Sequence, residues 1–154
     1  MEPTKMADRA AFTVLGVTVR GNVMDLDYVG IWEKQFMPRA AEILPLSTDQ
    51  SYYGAYFGTD QDMIMDFIAG VEVAPGTAVP AGLVARELPA ASYAVFACAM
   101  KDTMATWMAI MQEWMPTSGY EWDMSASPFE HYPPGFMGEP DEQFAIWVPV
   151  KKQA

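Results

Sequence analysis

The sequence predicts an α+β protein: two tandem copies of a strand–helix–strand–strand module, with antiparallel sheet on one side and the helices on the other. Three observations predict it. Phe36-Met37-Pro38 and Trp114-Met115-Pro116 lie 78 residues apart, each at the end of a helix-like stretch. The same shift carries the strand-like run Phe12–Asn22 onto Ala90–Met100, and Ser51-Tyr52-Tyr53 onto Phe129-Glu130-His131. A shift of 77 lays Val71 and Val73 on Val148 and Val150. Matches that keep one order along the chain are the signature of duplication. The half-repeats, about 11–73 and 83–151, form a single domain over 1–154, joined by a connector at 74–82. Two such halves packed together leave a seam, a common place for a small-molecule site.

Residues 1–10 read as a loose start. Phe12–Arg20 is rich in β-branched residues and reads as a strand that Gly21-Asn22 ends. Asp25 or Asp27 can cap the next helix, on which Tyr28, Ile31, Trp32, Gln35 and Phe36 recur at helical spacing. Pro38 ends or bends that helix, with one further turn available to residues 39–43. Ser51–Gly58 and Phe67–Val73 follow as strands, and the Pro- and Gly-rich stretch 74–82 is the connector.

The second half repeats this order. Residues 83–100 are strand-rich and interrupted at Leu88-Pro89. Asp102 or Thr103 caps a helix with Met104, Trp107, Met108, Met111 and Trp114 or Met115 on one face. Pro116 to Gly119 closes it. Ser127–Tyr132 and Phe144–Lys151 are the last strands, and Pro149 belongs at an edge or near a strand end.

Composition excludes several classes. Half the residues are hydrophobic, which fits a globular chain long enough to bury a core. Residues 1–11 lack a signal peptide's apolar centre and no apolar run reaches a membrane span, so no membrane partner and a cytoplasmic location are expected. The single Cys98 agrees with a reducing compartment and reads as a small core residue. A net charge of −11 argues against direct nucleic-acid binding and favours attraction of cations. Thirteen methionines and five tryptophans suit a pocket for flat apolar ligands.

Cys98 and His131 are the only soft metal ligands, so no metal site of recognisable spacing exists. No phosphate-binding glycine loop or nucleophile elbow is present, and no cofactor is expected. Glu130 stands out. Strand alternation puts Phe129 and His131 on one face, and Glu130 and Tyr132 on the other. Two readings fit it: an exposed edge-strand carboxylate, or a carboxylate among aromatics whose pKa burial raises unless a cation offsets it. Trp147 faces opposite to Ile146 and Val148, toward core or toward a cleft. Trp107 and Trp114 share a helix face, and Trp32 and Tyr28 form a similar stripe in the first half. Tyr52 and Tyr53 match Glu130 and His131 under the repeat, so one of them meets the same seam from the other side. His131 reads as a structural histidine.

The run from Leu88 to Lys151 resembles the GyrI-like, or AraC-type effector-binding, domain. The matching pieces are Glu87-Leu88-Pro89-Ala90, Tyr93-Ala94-Val95-Phe96, residues 114–121, Phe129-Glu130-His131-Tyr132 and residues 146–151. Trp32-Glu33-Lys34 and Gly54-Ala55-Tyr56-Phe57 extend the resemblance to the first half. It implies a duplicated fold with a pseudo-twofold groove, in which a glutamate of the penultimate strand meets a cationic, amphipathic ligand. Glu130 holds that position, and Trp107 and Trp147 hold positions that line the groove. The expected ligand-binding set is Glu130, Trp107, Trp147, Trp32, Tyr28, Tyr52 and Trp114. The chain departs from the family's regulators in having no room for a helix-turn-helix module, so a stand-alone ligand-binding domain is expected. The resemblance also covers two other activities: hydrolysis of reactive cyclopropane-containing compounds with Glu130 as the catalytic group, and regulation of a protein partner such as DNA gyrase. An unpaired edge strand is compatible with a homodimer.

Overall fold

The computed structural model describes residues 1–154. Nine strands and two helical segments make up the chain. The strands are β1 (Lys5–Arg9), β2 (Phe12–Asn22), β3 (Tyr52–Gly58), β4 (Ile64–Val73), β5 (Val84–Leu88), β6 (Ala91–Ala99), β7 (Tyr120–Trp122), β8 (Phe129–Tyr132) and β9 (Gln143–Lys152). The helical segments are α1 (residues 28–46) and α2 (residues 100–117). Neither is long and apolar enough to cross a membrane.

All pairings are antiparallel, in the order β1-β6-β9-β8-β3-β4-β2-β5, with β7 added to β9. The order is symmetric about the β8–β3 junction once β1 is matched with β5, β2 with β6, β3 with β8 and β4 with β9. This is the predicted duplication, with one addition. Each half begins with a short strand that pairs with the other half: β1 with β6, and β5 with β2. Residues 1–10 are therefore not a loose start, since Lys5–Arg9 form an edge strand. Its sequence hides it, because KMADR is mostly exposed and carries no apolar alternation.

The exchange also bends the sheet. β1 and β2 are joined only by Ala10 and Ala11, yet they stand first and seventh in the order. A two-residue link spans too little distance for a flat sheet, so the sheet curls until its ends approach. The Arg9 guanidinium, at the end of β1, consequently lies 3.6 Å from the Phe12 ring centroid and 5.3 Å from that of Phe129.

Curling buries both faces. Under α1, Leu15 and Val17 of β2 meet Phe67, Ala69 and Val71 of β4 and Ile31, Phe36 and Ile43 of the helix. Under α2, Phe96, Ile146 and Val148 meet Ile110 and Trp114. On the opposite face Phe12, Val14, Tyr53, Tyr93, Val95 and Phe129 form a third core. Strand alternation accounts for the division: Phe67, Ala69 and Val71 point to α1, while Ile68 points to the other face.

The ladders refine the predicted repeat. The Leu15–Val71 pair of the first half corresponds to Ala94–Val148, and Val17–Ala69 to Phe96–Ile146. Carrying this register into the central strands places Tyr53, Gly54 and Tyr56 on Phe129, Glu130 and Tyr132. The expected match of Tyr52 and Tyr53 with Glu130 and His131 is thus shifted. Gly54, not a tyrosine, is the counterpart of Glu130, and the two are direct cross-strand partners on the pseudo-twofold axis.

Each helical segment contains a π-helical stretch, Ile31–Phe36 and Ile110–Trp114, just before Met-Pro. Proline cannot donate to the preceding turn and crowds its carbonyl, and a widened turn followed by 3₁₀ backbone accommodates it. After Pro38 the helix resumes at Ala40–Ile43, whereas after Pro116 it ends. Asp27 caps α1 by accepting the Gly30 N–H at 3.0 Å. The methionines of α2 depart from expectation. Met104, Met108 and Met111 are exposed, and the inward stripe is Trp107, Ile110 and Trp114. Tyr120–Trp122, to which the sequence pattern assigns no element, forms β7. Gly16 and Gly70 face each other across β2 and β4, where a Cβ on Gly16 would overlap the Ala69 carbonyl oxygen.

Candidate functional site

β8 is short, and its alternation fixes the site. Phe129 and His131 point to the third core, and Glu130 and Tyr132 point to the helices, as expected. Glu130 is only 4% exposed, at the junction of the two half-cores. Its carboxylate is held by neutral donors. The Trp107 indole N–H donates to Oε2 at 2.8 Å, and the Tyr132 hydroxyl donates to Oε1 at 2.6 Å. The Tyr56 hydroxyl, close by, also favours the charged form.

None of the ion pairs in the protein involves Glu130. Burial therefore raises its pKa, and the donors from Tyr132, Trp107 and Tyr56 offset only part of that rise. The effect is mutual: burial first, then the Glu130 charge, holds the Tyr56 and Tyr132 phenols well above the ordinary range.

Gly54 makes room for this carboxylate. A Cβ there would sit 3.0 Å from two ring carbons of Phe67 and 3.4 Å from Glu130 Oε1. Its neighbours in the fold close the site with aromatic rings. Trp107 meets Tyr56 edge to face at 6.0 Å, and Tyr28 meets Tyr56 at 6.2 Å and Phe67 at 5.1 Å. Trp32 stands edge-on to Tyr132 at 5.8 Å and to Tyr52 at 6.4 Å. Trp32, Tyr52 and Trp107 each touch both half-cores, so they mark the seam. The Tyr28 hydroxyl donates to the Val23 carbonyl at 2.5 Å, and burial with the nearby Glu130 charge pushes its pKa up to about 12.

Five of the seven residues singled out from sequence thus lie together: Glu130, Trp107, Trp32, Tyr28 and Tyr52. Two do not. Trp147 is registered opposite Phe129 and stacks on it at 5.2 Å, on the far face of the sheet from Glu130. Its alternation was legible, but the face it enters is the third core, not the seam. Trp114 is buried between Phe96 at 5.2 Å and Tyr120 at 6.0 Å, beneath the last turn of α2. His131 bonds Ser51 Oγ through Nε2 at 2.9 Å, and burial lowers its pKa, as suits a structural histidine. Tyr56, Tyr132 and Gly54 went unassigned. The available signal was alternation: Tyr132 shares Glu130's face, and Tyr56 shares that of Gly54.

The duplicated antiparallel sheet with its two helical segments defines the class: the α+β fold of GyrI-like effector-binding domains. The solved structures agree on the fold. A putative transcription regulation protein from Staphylococcus aureus MU50 matches with a TM-score of 0.78 at 17% identity, over 98% of this chain and 99% of that one. A structure described as SAV2435 bound to tetraphenylphosphonium also matches at 0.78, with 20% identity over 98% of this chain and 94% of that one. The chain belongs to the Cass2 family of integron-associated effector-binding proteins, whose model matches residues 6–150. It is also 29% identical over 151 residues to the transcriptional regulator BrlR of Pseudomonas aeruginosa, covering 95% of this chain. The chain spans about half of that relative's length, 54%.

Proposed function

We propose that this chain binds amphipathic aromatic cations at Glu130, in the seam between its halves. The observation that carries the proposal is a fully enclosed carboxylate that neutral donors hold and no cation balances. Burying such a charge is costly, and neutral hydrogen bonds recover only part of the cost. A ligand cation supplies the missing partner, and its Coulombic attraction is strengthened by the low local dielectric. The surrounding Tyr28, Tyr56, Trp32 and Trp107 offer ring faces for an aromatic body and for cation–π attraction. The net charge of −11 attracts cations at long range. The tetraphenylphosphonium-bound structure of the same fold supports this ligand class.

Trp107 occupies Glu130 Oε2 in this conformation through its indole N–H. A ligand that reaches Glu130 displaces the indole N–H and takes over its electrostatic role. Tryptophan fluorescence therefore reports binding directly. Titration with tetraphenylphosphonium is expected to give a saturable change, and neutral triphenylphosphine oxide is expected to give little. Equal responses to the two compounds would show that charge does not select the ligand.

A further inference from the structure

A second site follows from a break in the internal symmetry. The ladder between β6 and β9 runs from Ala99–Gln143 to Tyr93–Pro149 and stops. The corresponding ladder between β2 and β4 continues one rung further, to Thr13–Val73, the counterpart of Ser92–Val150. β7 makes the difference. It pairs with residues 150–152 from the other side, and the Asp123 N–H donates to the Pro149 carbonyl at 3.0 Å. β9 thereby leaves β6, and a cavity of about 950 Å³ opens in the fork between residues 90–92 and 150–152.

Tyr93 lines this cavity. It is fully buried, yet its hydroxyl has no hydrogen-bond partner, an unfavourable state for a buried hydroxyl. Burial pushes its pKa up to about 12, so it remains a proton donor at neutral pH. The lining is also unusual in charge. Three of the chain's nine basic residues, Arg9, Lys151 and Lys152, border the cavity, against Asp8 and Asp123. Asp8 accepts from Ser92 Oγ at 2.5 Å, and Asp123 accepts from Ser125 Oγ at 2.5 Å. Arg9 pairs with Glu72 at 2.5 Å and Lys151 lies 3.8 Å from Glu121, whereas Lys152 has no carboxylate partner.

The geometry points to a second ligand site in this fork, for a flat organic anion. Its apolar body would rest on Tyr93, Val150 and Met6, and its carboxylate or sulfonate would accept the Tyr93 hydroxyl and meet Lys152. Tyr93 belongs to the core on the face of the sheet opposite Glu130. None of Glu130, Trp107, Tyr56, Tyr132 and Trp32 lines the fork, so the two sites share no residue of the Glu130 cluster, and they select opposite charges.

The test is titration of the full chain with 8-anilino-1-naphthalenesulfonate, read by its fluorescence, with and without saturating tetraphenylphosphonium. Saturable binding at one site is expected, unaffected by the cation. Tyr93→Phe should weaken it by about 10–150-fold, the scale of a hydrogen bond to a charged group. Lys152→Gln should weaken it by about 2–5-fold, as for an exposed ion pair. Tyr93→Phe removes only an unpartnered hydroxyl, so an unchanged or higher Tm establishes that the variant folds. Absence of saturable binding, unchanged affinity in both variants, or displacement by the cation overturns the second site. Failure of the cation to bind, with anion binding intact, overturns the Glu130 proposal alone.

Discussion

Replacing Glu130 by Gln should leave the protein as stable at pH 7, or make it more stable. Glu130 is 4% exposed and its pKa is raised by burial. The folded state therefore holds this proton more tightly than the unfolded chain does. The group's contribution to stability is greatest below the ordinary glutamate pKa and is lost as pH rises through the raised folded value. Each tenfold difference in proton affinity between the two states costs about 1.4 kcal/mol above that range. Gln carries no such cost. Its amide oxygen can accept the Trp107 N–H, and its NH₂ can donate to the Tyr132 oxygen once that hydroxyl turns, so both hydrogen bonds survive. The expected gain is about 1–4 kcal/mol at pH 7, the range seen when buried charges are replaced by neutral groups, shrinking toward zero near pH 4. Urea denaturation followed by tryptophan fluorescence at pH 4, 5.5 and 7 measures it. A loss of more than about 2 kcal/mol that is the same at all three pH values would refute the reasoning, because it would make Glu130 a structural anchor and not a strained charge.

Trp107→Phe keeps an aromatic ring and removes the donor to Oε2. It should cost about 1–3 kcal/mol at pH 7 and less near pH 4, where the carboxyl is protonated. A pH-independent cost in the same denaturation series would mean that packing alone is lost. Gly16→Ala should destabilise by more than about 3 kcal/mol, because its Cβ meets the Ala69 carbonyl and the Gly70 backbone, neither of which can turn aside. A Tm within a few degrees of wild type would show that β2 and β4 can separate there.

Much of the fold was legible because duplication writes the same pattern twice. Phe36-Met37-Pro38 and Trp114-Met115-Pro116 mark the same bend, and period-2 alternation identified the strands on either side. The face on which Glu130 lies was legible from strand alternation, but its burial was not: the pattern left an exposed edge-strand carboxylate open, and only the family resemblance favoured the buried reading. What alternation cannot say is what lies on each face. Trp147 was correctly placed opposite to Ile146, but a sheet that curls has core on both sides, so facing away from one core meant entering another. The leading strand of the first half was invisible for a related reason. β1 pairs with β6, some 85 residues along the chain, and no local pattern records so distant a partner. Tyr56 and Gly54 were missed because their relation to Glu130 depends on the register between β3 and β8, which only the assembled ladders define.

The most direct test of the account is calorimetric titration of tetraphenylphosphonium into wild type and Glu130→Gln at pH 7, beside triphenylphosphine oxide. The account predicts that the substitution weakens the cation by about 5- to 150-fold, the equivalent of about 1–3 kcal/mol, and leaves the neutral compound's weak binding unchanged. Cation affinity that is identical in the two proteins, or equal losses for cation and neutral compound, would contradict the role assigned to the Glu130 charge.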